Sequence, residues 1–298
     1  MELRDIEIFL TLAEELHFGR TAQRLHLSQA RISQSVKSQE RHVGARLVDR
    51  SNPRNVQLTP LGKLLLDGLQ PAYQDLVQAI EQTRLAAKGI SGLVRIGMIG
   101  YNAYDYRPFW DAFRARHPDW QLQIRNIPFN DPFGSLRRGD ADIVIGWLPI
   151  EDPDLTVGPI IATEPMAAMM ADRHQFAGDK QVSLEVYGNC GVVGPVVPTP
   201  DHWEDAHTPF CTPLGRPIER VATVETWEEL QTIVSTSETI HMVMSHASRY
   251  ANRPGTAFLP IADSHRLRWA LVWRADAETD QIRGLADVVR DLGRLDQN

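Results

Sequence analysis

The chain has 298 residues, 43% hydrophobic and 23% charged, which calls for more than one core and excludes a collagenous, low-complexity or disordered chain. Its net charge of −7 hides an asymmetry: residues 17–58 carry +6 and residues 59–298 carry −9, as a local polyanion contact on an otherwise acidic body requires. No apolar run approaches the ~20 residues that cross a bilayer, the opening MELRDIEIFL lacks a secretory cleavage site, and Cys190 and Cys211 alone make no disulfide framework, so a cytoplasmic protein without a membrane partner is expected.

Leu3, Ile6, Phe9, Leu10, Ala13 and Leu16 recur at helical spacing and predict a first helix, ended by "HFG". Thr21, Ala22 and Leu25 predict a short second helix. "HLS" then turns the chain, and Ser28 is a suitable N-cap for a third helix to about His42. Arg31 stands where a capping box needs Glu or Gln, and Gly44 suits the C′ position. In the third helix Ala30, Ile32 and Val36 are expected to face inward, leaving Gln29, Arg31, Ser33, Gln34 and Lys37 on the exposed side. Strands at 47–48 and 56–58 around a basic turn at 51–55 predict a winged hairpin.

Thr59-Pro60 is a sharp helix start. Apolar residues from Leu61 to Ile80 follow at helical spacing, and thirty helical residues would span ~45 Å. Such a seam is too long for one small domain to cover, so a second copy is expected against it. Pro71 is expected to kink the helix near Leu69, at a cost of ~3 kcal/mol. After "GISG" the period changes: "LVRIGMI", "LQIRNI" and "ADIVIGW" read as apolar strands separated by helices holding Phe109, Trp110 and Phe113 and residues 133–138. This alternation predicts a parallel sheet covered on both faces. Further strands are expected at 157–161, 166–170, 191–193, 220–224 and 268–273, with helices at 227–235 and Asp280–Leu292.

Residues 3–62 resemble the N-terminus of LysR-type transcriptional regulators, through "FLTLAEELHFGRTAQRLHLSQARIS", "QE" and "VGARLVDR", and "VQLTPLG". Weaker similarity continues in "LVRIGMI", "LRRGDADIVIG" and "RWALVWR". The resemblance implies an α/β chain with an N-terminal winged helix-turn-helix (1–58), a linker helix (59–90) and a periplasmic-binding-protein-like effector domain (91–298). That domain would hold two α/β subdomains, one of 91–162 with 266–298 and one of 163–265. It further implies double-stranded DNA and a small-molecule effector as partners, with assembly to dimers and tetramers. This chain departs from the family in Ala30, where Pro is frequent, Gln39, where Leu is, and Gln34, where Arg is. "STSETIHMVM" replaces a glycine-rich stretch.

Ser28, Gln29, Arg31, Ser33, Gln34 and Lys37 are the candidate groove contacts: Gln bonds adenine bidentately, Arg guanine, and Ser either bases or phosphate. Arg20, Thr21, Arg50, Arg54 and Asn55 are the candidates for holding the backbone and setting register. The effector is expected in the crevice outside the carboxyl ends of the strands. Tyr101, Asn102, Phe129, Trp147, Trp203, Glu225 and Trp227 are the candidate lining residues, with a helix N-terminus after Asn102 able to bind an anion. His202, His207 and Cys211 in "DHWEDAHTPFC" fit no standard zinc spacing, and Pro209 suggests a loop there, so no metal or cofactor is expected. Rival readings are a solute-receptor-like protein, a regulator switched by oxidation of Cys190 and Cys211, and an enzyme. For the last, the sequence holds no phosphate-cradling loop or nucleophile elbow.

Overall fold

The computed structural model describes residues 2–51, 56–197 and 199–297. The chain divides into two compact units, Met1–Ala87 and Lys88–Asn298.

In the first unit, α1 (Leu3–Glu15), α2 (Phe18–Arg24) and α3 (Gln29–Val43) close on one core, in which Ile8, Phe9 and Leu12 of α1 meet Ile32 and Val36 of α3. The ends follow local chemistry. The His17 ring Nδ1 caps α2 by accepting from the Gly19 and Arg20 N–H groups at 3.0 and 3.1 Å. Ser28 Oγ caps α3 by accepting from the Arg31 N–H at 3.2 Å, and Gly44 ends that helix at φ 80°. Strands β1 (Val48–Asp49) and β2 (Gln57–Leu58) pair antiparallel. Helix α4 (Pro60–Ala86) starts on a Thr59 cap, whose Oγ1 accepts from the Gly62 N–H at 3.0 Å. It continues as one helix through Pro71, and its Leu65, Leu66, Leu69 and Tyr73 pack on the unit's core.

Two polar side chains of α3 are buried, contrary to the simple stripe expected. The Ser35 hydroxyl donates to Asp5 at 2.6 Å, and Gln39 Nε2 donates to the Asp5 carbonyl at 2.8 Å. The Ser35 bond holds the Asp5 carboxyl below the usual carboxylate range. The pair ties α3 to the first turn of α1, which explains a Gln at position 39. Ala30, expected inside, is exposed.

The second unit contains a six-stranded sheet in the order β13-β6-β12-β5-β3-β4. Its strands are β3 (Gly92–Met98), β4 (Trp120–Asn126), β5 (Ile143–Trp147) and β6 (Leu155–Glu164), with β12 (Leu267–Arg274) and β13 (Leu295–Asp296) returning from the far end of the chain. Helices α5 (Arg107–Arg116) and α6 (Gly134–Arg137) connect β3, β4 and β5 in parallel. The sheet is nevertheless mixed, because β12 runs antiparallel to both β5 and β6. It re-enters after a whole intervening layer rather than through one crossover helix.

That layer begins at β7 (Met166–Ala171), buried throughout, and continues through α7 (Tyr187–Cys190), β8 (Val192–Pro195), α8 (Asp201–His207), β9 (Arg220–Val224) and α9 (Trp227–Thr236). It ends with β10 (His241–Met244), α10 (Ala247–Tyr250) and β11 (Thr256–Pro260). Strand β7 pairs antiparallel with β10 and β11, so this sheet also departs from the expected parallel pattern, while β8 and β9 are parallel. Helix α11 (Asp280–Leu292) covers the larger sheet with Ile282, Leu285 and Val289. No helix among the described residues is long and apolar enough to cross a membrane.

Candidate functional site

Two surfaces carry chemistry, one in each unit. On α3 the buried residues Ile32, Ser35, Val36 and Gln39 occupy one side. At roughly 100° per residue the opposite side presents Lys37, Ala30 and Gln34, while Gln29 lies on the first turn, beyond the edge of that side. Gln29, Gln34 and Lys37 are exposed, and their side chains make no hydrogen bond or ion pair among the described residues. Their donors and acceptors are therefore available to an outside partner. Ser33 is half-buried at one edge of this face. Arg31 lies at the other, 4.0 Å from Asp5. Ser28 is exposed but its hydroxyl is engaged as the cap.

Among the register candidates, Arg20 is exposed with its Nε on Glu15 at 3.1 Å. Arg50 pairs with Glu40, which also accepts from the Leu47 and Val48 N–H groups. Thr21 is fully buried and its hydroxyl donates to the His17 carbonyl at 2.9 Å, so it is removed from the contact set. The stripe of the short helix α2 turns it inward. Arg54 and Asn55 lie outside the described residues.

In the second unit a cavity of about 510 Å³ opens at the carboxyl ends of β3, β4 and β5 and is closed opposite by β8, α8, β9, the start of α9 and β10. Tyr101, Phe129, Trp147, Trp203, Glu225 and Trp227 all border it. Asn102 does not: it is buried, and its Nδ2 donates to Gln297 Oε1 at 3.4 Å. The helix expected to follow it begins only at Arg107, after a stretch of turns, so no helix N-terminus stands at Asn102.

Trp147 and Trp203 stack with centroids 3.8 Å apart and 15° between planes. Each indole N–H donates to the other's carbonyl at 3.2 Å. This reciprocal pair fixes the end of β5 to α8. Beneath it Glu164, fully buried at the passage from β6 to β7, accepts from Trp269 Nε1 at 2.6 Å and from the His246 backbone N–H at 3.2 Å, with His246 Nδ1 at 2.9 Å. The wall formed by α8 is held by Arg220, which meets Glu204 at 3.0 Å and donates to the carbonyls of Thr208, Pro209 and Ile218.

Three imidazoles, His207, His241 and His246, line the cavity; the sequence singles out His207 only as a metal ligand of unsuitable spacing, and the other two not at all. The signal was obscured for the first two: α8 falls in the segment that Pro209 marks as a loop, and His241 sits in an all-buried strand without alternation. Burial pushes His241 down to about 3 and His207 down to about 4. Both are uncharged at neutral pH.

Cys190 is half-buried with its Sγ 4.0 Å from His174 Nε2, and burial pushes its thiol up. A protonated thiol is a poor nucleophile. Among the described residues no three His, Cys, Asp or Glu side chains cluster closely enough to hold a metal ion.

Residues 3–63 match the family model for the bacterial regulatory helix-turn-helix protein, lysR family, and residues 87–294 match that for the LysR substrate binding domain. The chain is 31% identical over 186 residues to the HTH-type transcriptional regulator AlsR of Bacillus subtilis (strain 168), across 62% of this chain and 61% of that protein. It is 28% identical over 295 residues to the HTH-type transcriptional regulator ShiR of Corynebacterium glutamicum (strain R), across 98% of this chain and 99% of that protein. Its fold is similar to that of CbnR, a LysR family transcriptional regulator, with a TM-score of 0.67 at 19% identity over 98% of this chain and 99% of the other. For CbnR complexed with its target DNA the TM-score is 0.65 at 18% identity, over 98% and 100% of the two chains.

Proposed function

The chain belongs to the LysR family of DNA-binding transcriptional regulators, and on that premise we propose how its parts divide the work. Residues 1–58 read an operator, the segment 59–90 with its helix α4 joins copies of the chain, and residues 91–298 sense an effector in the cavity between the layers. The observation that carries this is the exposed surface of α3, where the side chains of Gln29, Gln34 and Lys37 make no hydrogen bond or ion pair among the described residues. The Gln34 amide and the Lys37 ammonium on one helix side, with the Gln29 amide on the first turn, match base edges and phosphates in a major groove, and Ala30 between Gln34 and Lys37 offers an apolar contact for a thymine methyl. The protein works in the cytoplasm and carries out no catalysis of its own.

A single groove-reading helix contacts too little DNA for strong specificity, so the copies bind paired half-sites about one helical turn apart. An effector preferring one arrangement of the assembly shifts its population, by no more than the ligand's differential affinity for the two. The test is fluorescence anisotropy with duplexes selected from the native genome. Gln34→Ala with Lys37→Ala should lower specific affinity by roughly ten- to a hundredfold and flatten the salt dependence, with oligomer mass unchanged. Unaltered operator affinity in that variant removes α3 from the groove.

A further inference from the structure

Resting on the reading of the cavity as the effector site, we propose that its ligand is a flat aromatic molecule bearing a protonated amine, not a carboxylate. Tyr101, Phe129 and Trp227 offer partly exposed ring surface around a space of about 510 Å³, with the Trp147–Trp203 stack behind them. A wall of aromatic faces favours planar ligands and cations, whose charge is attracted by the ring quadrupole.

The charges point the same way. No lysine or arginine is among the residues bordering the cavity, whereas Glu204, Glu225 and Glu228 are. Arg220 already neutralises Glu204 at 3.0 Å, and Arg253 approaches Glu228 at 3.8 Å. Glu225 is exposed, and its carboxylate has no partner among the described residues. His207 and His241 remain neutral in the physiological range, because burial disfavours their charged forms.

The start of α9 is the place on this wall where backbone N–H groups would otherwise receive an anion. It is partly occupied from within, with only the Trp227 and Glu228 N–H groups left without an internal acceptor among the described residues. Glu229 Oε2 accepts from the Glu225 N–H at 2.8 Å and from the Thr226 N–H at 3.3 Å, while Thr226 Oγ1 accepts from the Glu229 N–H at 3.2 Å. A ligand carboxylate arriving there meets Glu225, Glu228 and Glu229 and a cap already taken in part by the Glu229 carboxylate. Deeper in, His241 Nδ1 and Trp227 Nε1 are buried without a hydrogen-bond partner among the described residues, so the lining still has polar atoms for a ring heteroatom to satisfy.

Titration calorimetry on the full chain with tryptamine and with indole-3-propionate separates the charge classes, since the two share ring and chain length. Tryptamine should bind roughly tenfold tighter, and Glu225→Gln should reduce that preference to roughly threefold or less. Equal or tighter binding of indole-3-propionate overturns the proposal, as does absence of binding by both. Thr199→Trp, which fills the cavity, tells the two readings apart. If the acid binds better and Thr199→Trp abolishes it, the cavity is right and the charge class wrong. If either probe binds undisturbed by Thr199→Trp, the cavity reading fails and this inference fails with it.

Discussion

Gly62 is the residue on which the first unit closes. A Cβ built there would lie 2.0 Å from the Leu47 carbonyl oxygen, a contact no side chain can make without moving backbone. The constraint is built by the sequence itself. The Thr59 N–H donates to that same carbonyl at 2.9 Å, so the hairpin and the first turn of α4 share one oxygen. Gly62→Ala is therefore expected to destabilise this unit by about 1–3 kcal/mol, the usual penalty of overpacking. Amide hydrogen exchange in α1 and α3 reads this directly, and protection equal to wild type would show that the helix start tolerates a methyl. The same scale shows what a helical wheel misses. Ser35 and Gln39 look like surface residues until Asp5, thirty and thirty-four positions earlier, supplies their partners. Ala30 looks like core until Ile32 and Val36 fix the wheel's phase. Asn102 looks like a ligand contact until Gln297, near the other end of the chain, takes its side chain.

At the scale of elements, α4 keeps one stripe for its own unit and leaves another bare. Leu65, Leu66 and Leu69 pack inward, whereas Leu64, Leu76, Val77 and Ile80 remain exposed. Burying such a stripe against a second copy releases ~25 cal/mol for each Å² removed from water. Leu76→Glu with Ile80→Glu places charge on that seam without touching the described core, so mass measurement by light scattering should find single chains with helical content retained. A dimer that survives the double substitution would put the contact elsewhere. Elements with a strong local signature were legible in the sequence: the stripe of α1, the Thr59-Pro60 start of α4, and the glycine after α3. Those decided by distant partners were not. Helix α8 hides behind Pro209, which lies beyond its last turn and does not oppose it. The direction of β12 depends on a chain returning from the second layer, and nothing within "RWALVWR" encodes it. For the cavity, strand ends located the aromatic wall, while the imidazoles came from segments whose structure the sequence misrepresents.

At the scale of the whole molecule, the seven tryptophans all lie beyond residue 88, so indole fluorescence reports unfolding of the second unit alone. That gives a way to observe the buried imidazoles as a stability term. His241 is held to about 3 chiefly by burial, helped by His207 and Arg220 nearby, against 6.5 in an unfolded chain. The folded state therefore refuses a proton that the unfolded state accepts once the pH drops below 6.5. Stability conferred by the neutral ring is complete above that value and is lost progressively as the pH falls towards about 3. Between pH 7 and 5 His241 alone accounts for up to about 2 kcal/mol. His207, half-buried at the cavity wall, adds in the same direction but less, because solvent reaches it. Carboxylates contribute little in this window, since their unfolded values lie near 4. The urea midpoint followed by tryptophan emission should fall steadily from pH 7 to 5, and His241→Gln should make that decline visibly shallower. An equal slope in the variant would mean that water enters the β10 side of the cavity and that the ring protonates in place.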